Sequence, residues 1–251
     1  MTFELERLRA EVARARLADP SAGARMGAVN LIHRIQGVIT GPQGVNADLL
    51  LAILGSLAGR TAQAAAIEIA RAGQVPIRAD GIMVIATDDG ATYYYGNTIN
   101  ATLFESSASI LALTGTFARA GGMDLGPPPD IDEIARHVAG TLGRPQFGAI
   151  RWPVGRGDPN FPTPVAMVHH FWPGWRPYLD VFCSKPNEWL ILMACAIYDT
   201  LSRTAAVMPP STGLRIVMEA AVPMSKAVLG YGPRVIPTPG GIVIADLQTP
   251  N

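Results

Sequence analysis

Apolar positions recur at helical spacing through the N-terminal part of the chain. Residues 2–18 carry Phe3, Leu5, Leu8, Val12 and Leu17 on a narrow stripe between Glu and Arg, and Asp19-Pro20-Ser21 ends the segment. Met26, Val29, Ile32 and Ile35 predict a second helix over 24–37, stopped by Gly37 and the Gly41-Pro42-Gln43-Gly44 turn. Asn46 caps a strongly apolar run that begins at Asp48 and continues, with a kink expected at Gly55 or Gly59, to Gly73. Its small residues (Gly55, Ser56, Ala58, Gly59, Ala62 and Ala66) allow another helix to approach closely, either as core packing or as a self-association face.

The pattern then shifts to strand spacing. Ile82–Ala86 and Thr92–Gly96 flank Asp88-Asp89-Gly90, which predicts a hairpin with a type I′ turn at Asp89-Gly90. Helical sequence is expected over Ala101–Ala120, ending at Gly121-Gly122. Pro127-Pro128-Pro129 stiffens the next connection. Asp130 caps a helix over Ile131–Gly140 with Asp132 and Glu133 in its first turn, and Phe147–Trp152 reads as a strand. Gly155–Pro164 reads as loop.

Pro173-Gly174 suits a turn, so Val165–Cys183 is expected as a β-hairpin bent at Trp172-Pro173-Gly174-Trp175. It feeds a helix capped by Ser184 or Asn187, with Pro186 and Glu188 near its start. Trp189–Tyr198 carries no charge, and a helix apolar all round is buried. Leu214–Leu229 predicts a helix kinked at Pro223, and Val235-Ile236 and Ile242–Ala245 predict two short strands. The expected fold class is α+β, with helices packed on antiparallel hairpins around a buried central helix. A single domain over 1–251 is expected, with subregions 1–126 and 127–251 meeting at the proline run.

Composition changes the picture in two places. Hydrophobic residues make up 49% of the 251 residues and charged ones 16%, and mean hydropathy is +0.23. So few charges cover a monomer thinly, and the expectation is a homo-oligomer. Twenty basic and twenty acidic residues cancel, which argues against a nucleic-acid partner. The Arg-over-Lys bias, with abundant Ala and Gly, is a bacterial-like composition and no sign of phosphate recognition. Cys183 and Cys195 are the only cysteines and sit in apolar runs, so no disulfide scaffold is expected. The N-terminus lacks signal-peptide features and no membrane span is read, which together predict a cytoplasmic protein.

Candidate chemistry centres on the expected hairpin. In its register His169 lies opposite Tyr178 and diagonal to Asp180, an arrangement suited to a general base held by a carboxylate. Arg176 would stabilise charge, and Trp172, Trp175 and Arg176 at the turn would contact a ligand or partner. All four tryptophans, Trp152, Trp172, Trp175 and Trp189, fall in one quarter of the chain, where core burial is the ordinary explanation. His169 and His170 point to opposite faces of a strand, His33 and His137 are isolated, and no Cys-x-x-Cys or His-x-x-x-His spacing occurs, so no metal is expected. The glycine-rich stretches lack P-loop context, and no cofactor is expected. The leading expectation is a protein that works by self-association or by binding a protein partner. The alternatives are a hydrolase- or lyase-type enzyme using His169, Asp180 and Tyr178, and a binder of a small apolar ligand. Residue types alone leave open whether the protein is an enzyme.

Overall fold

The computed structural model describes residues 3–73, 81–151, 161–230, 234–238 and 241–245. Its architecture is helix-dominated with small antiparallel hairpins, a coarser form of the expected α+β class. Helices α1 (Phe3–Arg16), α2 (Ala22–Ile39) and α3 (Ala47–Arg71) open the chain. Asn46 caps α3 by accepting from the Leu49 amide at 3.0 Å, and the helix runs unbroken through Gly55 and Gly59. By length and composition α3 could cross a membrane, but its apolar window is 100% buried among the other elements.

Strands β1 (Met83–Ala86) and β2 (Thr92–Tyr95) pair antiparallel, with Met83 opposite Tyr95 and Ala86 opposite Thr92. The connection is longer than a type I′ turn. The Thr87 amide donates to the Ala91 carbonyl at 3.0 Å, and Gly90 supplies the left-handed φ of 82°. The helix expected over 101–120 is interrupted. A short α4 (Asn97–Asn100) passes into a π-helical turn (Ala101–Glu105), and α5 (Ile110–Ala120) starts afresh where Ser109 accepts from the Ala112 amide. Asp130 caps α6 (Ile131–Gly140) through the Glu133 amide at 2.9 Å. Residues 147–151, expected as strand, are irregular because Gly148 sits at φ 77°, off any extended path. Trp152 and residues 155–160 of the expected loop lie outside the described residues.

The largest departure is at 164–182. The expected hairpin is one helix, α7 (Pro164–Phe182), capped by Thr163 and containing both Pro173 and Pro177. Of its buried residues, Pro164, Val168, Trp172, Trp175, Leu179 and Phe182 are spaced by three and four, one apolar stripe of a helix, with Met167 beside it and Val181 off it. Pro173, Gly174 and Pro177 all lie on the exposed side, where solvent is available to carbonyls that a proline leaves unpaired. Burial of the stripe outweighs the local turn chemistry.

Helix α8 (Pro186–Thr204) follows. Trp189, Leu190, Leu192, Met193, Ala194, Ala196 and Ile197 are buried in it, and Glu188 accepts back from the Ser184 amide at 2.8 Å. Helix α9 (Pro210–Lys226) keeps its helical path through Pro223. Strands β3 (Arg234–Thr238) and β4 (Gly241–Ala245) form a second hairpin, tied to the first where Tyr94 Oη accepts from the Val235 amide at 2.9 Å.

Helix α3 is the axis of the core. A Cβ on Gly55 would lie 2.4 Å from the Val217 carbonyl oxygen and one on Gly59 2.0 Å from that of Ala221, so α9 rests directly on the α3 backbone. The opposite face of α9 is fastened electrostatically. The buried Glu219 carboxylate accepts from the Arg151 amide at 2.6 Å and from Arg215 at 3.1 Å, and Glu133 of α6 pairs with both Arg151 and Arg215.

Candidate ligand-binding groove

Helical geometry disperses the residues expected to form a catalytic cluster. His169 and Tyr178 are nine residues apart, about two and a half turns, and so project to opposite sides of α7. Asp180 returns to the His169 side but lies roughly 16 Å further along the axis. Each has its own surroundings. Tyr178 stacks on Trp175 with ring centroids 5.9 Å apart and lies beneath the Arg34 guanidinium of α2. Asp180 pairs with Arg176 one turn back at 2.6 Å, and His169 stands on the exposed side. Trp172 and Trp175, placed at the bend of the expected hairpin, are core residues at 3% exposure each. Arg176 lies over the Trp189 ring, 4.7 Å from its centroid. Among the described residues no group of three or more His, Cys, Asp or Glu side chains converges as a metal site.

A different set of residues does converge. Three helical stripes face one another: Ser21, Arg25 and Val29 from α2 and the turn before it, Leu113, Phe117, Ala120 and Gly121 at the end of α5, and Ile191, Cys195, Tyr198 and Asp199 from α8. Within each stripe the spacing is close to one or two helical turns, which places these side chains on a single face. Between them lies a hollow of about 670 Å³, larger than the 480 Å³ hollow beside β2. Both lie in the range of small-molecule sites.

The inner faces of the same helices explain why this stripe is left over. In α5, Ile110, Thr114 and Ala118 point into the core, so Leu113 and Phe117 fall at its edge. In α8, apolar residues surround the axis, and those turned from the core, Ile191, Cys195 and Tyr198, are half-buried. Gly121 completes the floor. A Cβ there would lie 2.1 Å from the Tyr198 hydroxyl oxygen, so glycine leaves the room in which the phenol passes the end of α5. The Phe117 and Tyr198 rings meet at 6.5 Å and a tilt of 56°.

The polar groups of the groove differ in how they are engaged. Arg25 pairs with Asp19 and donates to the Ser21 hydroxyl at 2.7 Å, and that hydroxyl donates to Asp19 at 2.8 Å. Asp199 has no hydrogen bond or direct ion pair among the described residues. Burial holds its carboxyl above the usual aspartate range, opposed only by the field of Arg203 one turn on. Burial also pushes the Cys195 thiol up to about 11, with the Asp199 charge adding to the shift and Arg25 opposing it. The thiol is therefore protonated at neutral pH and a weak nucleophile. The arrangement suits recognition of an apolar body with one polar point.

None of these groove residues was singled out as a site from sequence, although a signal existed. Asp199 is the first charge after the ten-residue uncharged run, and it falls on the same face as Ile191, Cys195 and Tyr198. Comparison with protein-family models, curated proteins and solved structures finds no match.

Proposed function

We propose that the protein is a binding protein whose ligand is a small, largely apolar molecule held between α2, α5 and α8. The observation that carries this reading is the roughly 670 Å³ hollow walled by Leu113, Phe117, Ile191 and Tyr198 with few polar groups. Titration of the full chain with the neutral apolar dye Nile red tests it. A saturable fluorescence rise is expected. Ala120→Trp, which fills the groove from an exposed position, should weaken it on the order of tenfold with little change in Tm. Dye binding that never saturates, or that ignores Ala120→Trp, overturns the reading.

Self-association is the second reading, supported by the exposed ridge of α2. Val29 is 40% exposed, and it and Arg25 also line a neighbouring hollow of about 430 Å³ with Leu8, Met26 and His33. A ridge flanked by two apolar depressions suits the same ridge of a second copy.

A further inference from the structure

We infer that the ligand of the α2/α5/α8 groove is a cationic amphiphile, an apolar chain or ring system ending in a protonated amine that pairs with Asp199. The inference rests on the groove reading above and adds the chemistry of the ligand's polar end.

Charge and engagement decide that end. An anionic ligand would need Arg25, but that guanidinium already serves Asp19 and Ser21. Its anion would also enter a groove that already holds the Asp199 charge. A neutral apolar ligand would leave Asp199 half-buried and unpartnered, the condition that already costs the folded protein, and a neutral hydroxyl would offer it only an uncharged donor. An ammonium removes that cost by donating to the carboxylate, and a charge-assisted bond of this kind is the stronger class. The helix ends act in the same sense. Ala120 and Gly121 bring the negative C-terminal end of α5 to the groove, whereas the positive N-terminal end of α2 is already faced by Asp19, which accepts from the Ser21 amide at 2.8 Å. The titratable groups that share the groove are Arg25 from α2 and Cys195 and Tyr198 from α8, with Arg203 beyond. The α5 wall contributes none.

Calorimetric titration of the full chain with decylamine, decanol and decanoate, equal in length and different in head group, tests the inference. Decylamine should bind about tenfold more tightly than decanol, and decanoate more weakly than either. Asp199→Asn should bring decylamine to the level of decanol and weaken decylamine far more than it changes decanol. In the wild-type protein decylamine affinity should fall as acidification protonates Asp199 while decanol affinity holds, a readout that does not depend on the variant folding. Decylamine and decanol binding equally, or decylamine affinity indifferent to both Asp199→Asn and pH, overturns the amine and leaves the groove reading standing. Failure of all three probes to bind removes both.

Discussion

Lys226 is a charge placed where charge is costly. It is 3% exposed at the end of α9, donates to Asn100 Oδ1 at 2.5 Å and stands over the Tyr95 ring, 5.1 Å from its centroid. Burial lowers its pKa from 10.5 to about 8, with Glu105 opposing the shift. The folded chain therefore holds this proton less tightly than the unfolded chain. The penalty is present in full below about pH 8 and disappears as pH rises towards 10.5. Lys226→Met should stabilise the protein at pH 7 by about 1 kcal/mol, seen as a Tm rise of about 2–4 °C. The gain should vanish when melting is repeated above pH 10.5, the unfolded value. An equal gain at both pH values would mean that packing and not charge is responsible.

At the scale of elements, glycine has opposite roles in two helices. Gly59 in α3 faces the α9 backbone, where an added Cβ meets the Ala221 carbonyl oxygen at 2.0 Å, whereas Gly37 in α2 has nothing within 4 Å. Gly59→Ala should cost about 2 kcal/mol despite better helix propensity, because α9 must move away. Gly37→Ala should add about 0.5–1 kcal/mol, and urea melts of the two variants read the difference in sign. The small-residue run of α3 was legible from sequence as a site of close approach, and so were its Asn46 cap and the Asp130 cap of α6. Helix α7 was not, because Pro173-Gly174 is a strong local turn signal whereas the stripe from Pro164 to Phe182 only shows its period over the full length. Ser106–Ser109 likewise break what looks like one helix, since a serine cap satisfies amides that the sequence pattern does not reveal. The groove was hidden for a related reason. Each of its walls reads as an ordinary helix edge, and only tertiary packing sets the three edges side by side.

For the molecule as a whole, equal numbers of acidic and basic residues and a pI near 6.9 leave little repulsion between copies at neutral pH. The α2 ridge around Val29 is where such copies would meet. Light scattering at micromolar concentration should return the mass of a dimer, and Val29→Asp should return that of a monomer. A monomeric wild-type protein under the same conditions removes the self-association reading without touching the groove.

Pro173 and Pro177 stand one turn apart on the outer side of α7, and neither has an amide hydrogen to give the carbonyl four residues earlier. The carbonyls of His169 and Pro173 thus receive no rung of the helical ladder from that direction, on the side of the helix turned away from the tryptophans. Isotope-edited infrared spectra should locate those two oscillators at the lower frequency of hydrated helix, set apart from the dry amides of α3.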